Sequence, residues 1–167
     1  MVDAIDIIGL DLSLTSTGVA TERGTLTIKT KLKGVERLHA IWEEVWGHIA
    51  GFQNPYVVIE GYAFQKQGSH CHAQGELGGV VRHGLFLRQT PFVEVPPTVR
   101  SLFATGRGNA GKAEVVSNVT ARSGLIFSSD DEADAWVLRE MGMQHFEQSD
   151  LGWPAKNMTA LEKVNWV

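Results

Sequence analysis

The chain has 167 residues, a length that fits one domain. Its 43% hydrophobic and 20% charged residues are enough for a packed core and exclude a disordered chain. A single cysteine, Cys71, excludes an intramolecular disulfide. No basic segment leads an apolar one at the N-terminus, and no apolar run approaches the roughly 20 residues that span a bilayer, so a soluble cytoplasmic protein is expected. The net charge of −4 does not by itself invite nucleic acid. Yet residues 61–112 hold six basic side chains (Lys66, Arg82, Arg88, Arg100, Arg107, Lys112) against two acidic ones (Glu76, Glu94), a local excess that can face phosphates. An ordinary solvated surface is the bland alternative.

In chain order, Ile5 to Leu10 is a near-continuous apolar run, read as a buried strand ending on Asp11. Ser13 to Gly18 is a turn of small and hydroxyl residues, and Val19 to Thr21 resumes an extended segment. Arg23-Gly24 turns again, and Thr25 to Lys31 alternates like a half-buried strand. Residues 34–50 place Val35, Leu38, Ile41, Trp42, Val45, Trp46 and Ile49 at helical spacing, with Gly51 and Pro55 ending the helix. The tryptophans read as core or interface residues rather than base-stacking platforms.

Tyr56 to Ile59 is a further buried strand, ending on Glu60, and a Gly-, Gln- and His-rich loop spans residues 61–72. Residues 74–88 read as a helix despite Gly75, Gly78, Gly79 and Gly84. Each glycine costs about 1 kcal/mol relative to alanine, so another backbone is expected to approach closely there. Phe92 to Val95 is a short strand, Thr98 to Ala104 a helical turn, residues 105–111 a Gly-rich loop, and residues 112–123 and 130–146 are helices. A meander followed by strands alternating with helices indicates one α/β domain over residues 1–146 with a mixed central sheet. Residues 147–167 form a polar tail with no assigned role.

The chemistry-bearing pattern is four carboxylates at element ends. Asp11 and Glu60 close two strands, and Asp131 and Asp134 share one face of the last helix through their i, i+3 spacing, with Glu132 turned elsewhere. A carboxylate ending an apolar strand is costly unless it is paired or binds a cation, and hard oxygen donors select Mg²⁺ or Mn²⁺. Two such ions suit phosphodiester displacement. Taken singly, each acid reads as a cap or surface group, with Asp130 or Asp131 an ordinary N-cap.

These residues resemble a known family. Gly9-Leu10-Asp11-Leu12-Ser13-Leu14-Thr15-Ser16-Thr17-Gly18 resembles the first-strand motif of RuvC-type Holliday junction resolvases, and Val58-Ile59-Glu60 their strand-end glutamate. The stretch Ala73-Gln74-Gly75-Glu76-Leu77-Gly78-Gly79-Val80 resembles the start of their interface helix. Val99-Arg100 through Thr105-Gly106-Arg107-Gly108-Asn109-Ala110-Gly111-Lys112 resembles their DNA-facing segment, and Asp131-Glu132-Ala133-Asp134-Ala135 their closing Asp-x-x-Asp-Ala. Each motif alone is weak, but five in order over residues 5–146 are specific.

The resemblance implies an RNase H-like fold: a five-stranded mixed sheet, three antiparallel strands then two parallel ones, flanked by helices. It implies a structure-selective endonuclease for Holliday junctions and other branched DNA, a homodimer formed through helix 74–88, and two Mg²⁺ or Mn²⁺ ions per site. On matching positions, Asp11, Glu60, Asp131 and Asp134 are metal ligands and Lys112 assists catalysis near the phosphate. Arg100 stands where better-known members carry lysine, keeping the charge but not the geometry. Tyr62, Phe64, Lys66, Arg100, Arg107 and Lys112 are the expected DNA contacts. Phe64, or else Tyr62, is the expected junction-opening wedge, against the plainer reading of core aromatics.

Other readings remain in view. His70-Cys71-His72 lacks a fourth ligand at zinc spacing and reads as loop. Sugar kinases and chaperone ATPases share the opening motif but need two such domains and a second phosphate turn, which this length does not hold. Cleavage of flaps or RNA–DNA hybrids, or junction binding without catalysis, keeps the same fold. The length fits a stand-alone resolvase, such as a phage encodes.

Overall fold

The computed structural model describes residues 4–61 and 69–167, with the side chains of 69–71 left aside. Five strands form one sheet in the order β3-β2-β1-β4-β5. They are β1 (Asp6–Asp11), β2 (Thr17–Thr21), β3 (Gly24–Ile28), β4 (Pro55–Glu60) and β5 (Phe92–Val95). β1 pairs antiparallel with β2, and β2 antiparallel with β3. β4 lies parallel to β1, and β5 parallel to β4. This is the mixed sheet the sequence predicts, an antiparallel meander extended by two parallel strands.

Six α-helices flank the sheet among the described residues: α1 (Gly34–Ile49), α2 (Ser69–Leu87), α3 (Pro97–Thr105), α4 (Lys112–Ser123), α5 (Asp130–His145) and the short α6 (Ala155–Met158). Two apolar layers sandwich it. Ile8, Leu10, Val19, Val57 and Ile59 pack under α1 and α2 with Leu38, Ile41, Trp42, Leu77 and Leu85. On the opposite face Ile7, Ala20, Val58, Val93 and Val95 pack under α3, α4 and α5 with Phe103, Val115, Val119, Leu138 and Met141. Period-2 alternation along strands buried on both faces accounts for the continuous apolar runs of β1 and β4.

Several expected boundaries move. β2 starts at Thr17, two residues early, because Gly18 pairs with Asp11 and Thr17 with Ile28. β3 ends at Ile28 rather than Lys31, where its ladder with β2 runs out. α2 starts at Ser69, so His70, Cys71 and His72 lie in a helix rather than a loop. Their polar composition carries no apolar period to reveal it.

Within the chain, Gly84 admits a side chain rather than a backbone. A β-carbon at Gly84 would fall 2.4 Å from the Trp42 ring, whereas at Gly75 or Gly79 it would meet nothing described within 4 Å. Trp42 and Trp46 stack at 5.9 Å, and the Arg88 guanidinium lies 4.9 and 4.6 Å from their ring centroids.

The tail is packed, not loose. Ala160 and Val164 are buried, and Asn157 Nδ2 donates to the Phe103 carbonyl at 2.7 Å. Trp153 meets Phe103 at 4.3 Å, and Trp166 stacks on His145 at 4.2 Å.

Candidate active site

The site grows from strand alternation. Ile7, Gly9 and Asp11 face one side of β1, and Ile8 and Leu10 the other. Ile7 belongs to the layer under α5 and Ile8 to the layer under α1, so Asp11 emerges on the α5 face. The same count along β4 sends Tyr56, Val58 and Glu60 to that face and Val57 and Ile59 away from it. β1 and β4 are neighbouring parallel strands, and both acids follow directly on the last register pair, Leu10 with Ile59. Asp11 and Glu60 therefore stand side by side at one end of the sheet, on the face that α5 covers.

Two glycines bring α5 down onto that end. A β-carbon at Gly18 would lie 2.1 Å from the Asp131 carbonyl oxygen, and one at Gly9 would lie 2.0 Å from the Ala135 carbonyl oxygen. Only glycine permits helix backbone to rest on strand backbone this closely. Gly18 is also the ladder partner of Asp11, so the first turn of α5 settles over Asp11. Ser129 caps that turn, its Oγ accepting from the Glu132 N–H at 3.2 Å. Neither Asp130 nor Asp131 is therefore the cap expected from sequence. Glu132 turns aside to accept from the Thr25 hydroxyl at 3.0 Å, while Asp134 points into the site and is only 3% exposed.

Arg100 completes the cluster. It projects from α3 and is 8% exposed, with Nε 2.9 Å from Glu60 Oε2 and a terminal nitrogen paired to Asp134 Oδ2. Expected as a DNA contact, it is instead an internal counter-ion, because α3 turns it inward onto the carboxylates. Burial disfavours its charge, but Glu60, Asp134 and Asp11 outweigh that and hold the guanidinium protonated.

Burial pushes the Asp11 carboxyl well above the usual carboxylate range. The negative charges of Glu60, Asp134 and Asp131 add to the rise, and Arg100 opposes it. Burial also raises Asp134, against the pull of Arg100. One buried arginine leaves this cluster short of positive charge. The donor set fits a hard divalent cation in its chemistry, since every candidate ligand is a carboxylate. Among the described residues, no three acidic, histidine or cysteine side chains already stand as a metal-holding group. Arg100 draws on two of the oxygens such an ion would use.

Lys112, 72% exposed at the start of α4, pairs with Asp130 rather than with Asp131 or Asp134. That contact lowers the Asp130 carboxyl and raises the Lys112 ammonium. Arg107 is exposed beside it and bonds Glu114 at 2.5 Å. Tyr62, Phe64 and Lys66 lie outside the described residues. His72, of the His-Cys-His stretch, is exposed.

No family model matches the chain. Individual proteins do. The crossover junction endodeoxyribonuclease RuvC of Gloeobacter violaceus is 29% identical over 142 residues, covering 81% of this chain and 79% of that protein. The RuvC of Hydrogenovibrio crunogenus is 31% identical over 106 residues, covering 63% of this chain and 62% of its own. Over most of its length the chain is similar to RuvC proteins.

The fold agrees. Thermus thermophilus RuvC, solved in complex with a Holliday junction substrate, superposes with a TM-score of 0.69 at 21% identity, covering 87% of this chain and 96% of that one. A second structure of Thermus thermophilus RuvC gives 0.68, covering 86% and 98%. The RNase H-like architecture expected from the motifs is therefore borne out.

Sequence reasoning missed three contributors to this site. Gly9 and Gly18 sit inside strands, where glycine often marks a close backbone approach, so that signal was present. Asp130, read only as a candidate cap, is the partner of Lys112. The inward course of Arg100 left no local trace, since it depends on how α3 packs beside α5.

Proposed function

We propose that this chain is a RuvC-type, divalent-metal-dependent endonuclease that resolves Holliday junctions and acts on other branched DNA. The observation that carries the reading is the placement of Asp11, Glu60 and Asp134 about Arg100 at one sheet end, with the Asp131 charge acting on Asp11, in a chain similar to crossover junction endodeoxyribonucleases. Cleavage of a synthetic junction by the wild type and by Asp11→Asn tests it.

Asp11, Glu60, Asp131 and Asp134 are the residues that would hold the metal. When bound, Mg²⁺ or Mn²⁺, taken as two ions per site, supplies Lewis acidity for water activation and screens charge at the phosphate. Water adds to phosphorus, the bond from phosphorus to the 3′-oxygen breaks, and the products are a 3′-hydroxyl and a 5′-phosphate. Arg100 orients Glu60 and Asp134 through its two ion pairs. Lys112 neutralises charge gathering on the phosphate as it leaves Asp130 for the substrate.

Arg107, Lys66 and Lys112 supply backbone contacts, and Phe64 or Tyr62 the wedge that opens a base pair. A four-way junction offers two symmetric strands, which a two-fold dimer matches with two sites. We assign the dimer contact to α2, whose C-terminal end exposes Phe86 (73%) and Leu87 (62%). The site of action is the bacterial cytoplasm, where such DNA is found. No helix among the described residues is long and apolar enough to cross a membrane.

A further inference from the structure

The sheet delivers one more chain segment to the carboxylate end. β2 runs against β1 and β3 against β2, so β3 runs in the same direction as β1. Its last residue, Ile28, pairs with Thr17, one step beyond the level of Gly18 and Asp11. Residues 29–33 therefore leave the sheet at the end that carries Asp11 and Glu60. β3 is two strands from β1, about 10 Å at ordinary strand spacing.

This segment is basic. Residues 29–37 hold Lys29, Lys31, Lys33 and Arg37 against the single acid Glu36, in a chain that is acidic overall. All three lysines are exposed, and none joins an ion pair among the described residues. The backbone beneath them is pinned. Thr30 Oγ1 accepts from the Leu32 N–H at 3.1 Å, and Arg37 Nε donates to the Leu32 carbonyl at 2.6 Å. The lysines thus project from an ordered stretch, so less conformational freedom is lost when they bind.

Protection of an edge strand is the usual reason for lysines here. It does not apply. β3 itself reads Gly-Thr-Leu-Thr-Ile with no charge, and the lysines lie past its last ladder pair. A merely solvated face would not gather one sign of charge beside a nuclease site.

We propose that Lys29, Lys31 and Lys33 form a second phosphate-binding strip, contacting the duplex arm that leads away from the cleaved strand on the β3 side. Arg107 and Lys112 come from the α3–α4 region, which packs with β4, β5 and α5. The carboxylates then lie between two cationic flanks, and the duplex runs across the sheet end from one flank to the other. This inference rests on the proposed action on branched DNA.

The test is anisotropy of a fluorescent four-way junction and of one linear arm, in metal-free buffer, across a salt series. The proteins are the wild type, Lys29→Gln/Lys31→Gln/Lys33→Gln, and the same triple changed to arginine. Each phosphate contact contributes about 0.9 to the slope of log affinity against log salt on duplex DNA. The glutamine triple is expected to bind at least tenfold more weakly near 0.1 M salt, with a slope shallower by about 2–3 and an unchanged melting temperature. The arginine triple keeps wild-type affinity and slope.

A glutamine triple with wild-type slope, while the wild type binds tightly, overturns the strip and leaves the proposed function standing. Failure of the wild type to bind any DNA overturns both.

Discussion

Gly18 supports the backbone carbonyl of Asp131 with no side chain between them. A β-carbon there would sit 2.1 Å from that oxygen, a separation no packed structure tolerates. Gly18→Ala must lift the first turn of α5 from the sheet and carry Asp131 and Asp134 with it. Overpacking of this kind costs about 1–3 kcal/mol or more, so melting should fall by roughly 3–10 °C. Junction cleavage should fall further than stability explains. Gly47→Ala is the contrast: it lies within α1, a β-carbon there would meet nothing described within 4 Å, and alanine should stabilise by about 0.5–1 kcal/mol. Thermal unfolding of both variants checks the pair.

Arg100 is the one buried cation described among the site carboxylates. Removing one partner of a buried ion pair strands the other, at about 3–5 kcal/mol. Arg100→Met should lose about that much in urea unfolding without metal. Added Mg²⁺ should restore more stability to the variant than it adds to the wild type, because a bound cation stabilises the folded state alone. Arg100→Lys should fall between them, keeping the charge and losing the fork that reaches two carboxylates. Wild-type stability in Arg100→Met would show that the guanidinium does not balance this cluster.

Burial raises the Asp11 carboxyl above its value in the unfolded chain, so folding takes up a proton between the two. The stability tied to this group is present below about pH 4 and is lost as pH rises through the raised value. Asp11→Asn cannot ionise. In metal-free buffer it should melt above the wild type at neutral pH, and the gap should close as pH falls toward about 4. A variant that melts below the wild type at pH 7 would contradict the assigned direction.

Glu140, buried on α5, ties down the chain that follows. Its Oε1 accepts from Gln144 Nε2 at 2.9 Å, Ser149 Oγ at 2.7 Å and Trp153 Nε1 at 3.1 Å. Glu140→Ala leaves three donors without this acceptor, and the loss should be about 2–4 kcal/mol. Tryptophan emission should shift to the red as Trp153 leaves Phe103. Unchanged emission and melting would mean that residues 147–167 hold without this anchor.

The sheet is legible in the sequence because β1 and β4 are apolar on both faces and each ends on a carboxylate. Asp131 and Asp134 are legible as a pair because helical spacing alone puts them on one face. What brings the four acids together is less visible. It depends on Gly9 and Gly18 admitting α5 to the strand backbone, a relation between segments more than 110 residues apart. Arg100 shows the same limit: its charge is plain from the sequence, but its direction is set by α3 packing beside α5. The start of α2 is hidden for another reason, since Ser69-His70-Cys71-His72 has neither an apolar period nor a capping acid.

The most direct measurement is the cleavage of an end-labelled four-way junction in Mg²⁺, set beside duplex, flap and RNA–DNA hybrid, by the wild type and Asp11→Asn. Paired symmetric nicks on the junction, at least a hundredfold weaker in the variant, are the predicted result. Cleavage of flaps or hybrids without cleavage of the junction would contradict the resolvase reading and leave the carboxylate chemistry in place. Tight junction binding by the wild type with no cleavage of any substrate would contradict the catalytic account itself.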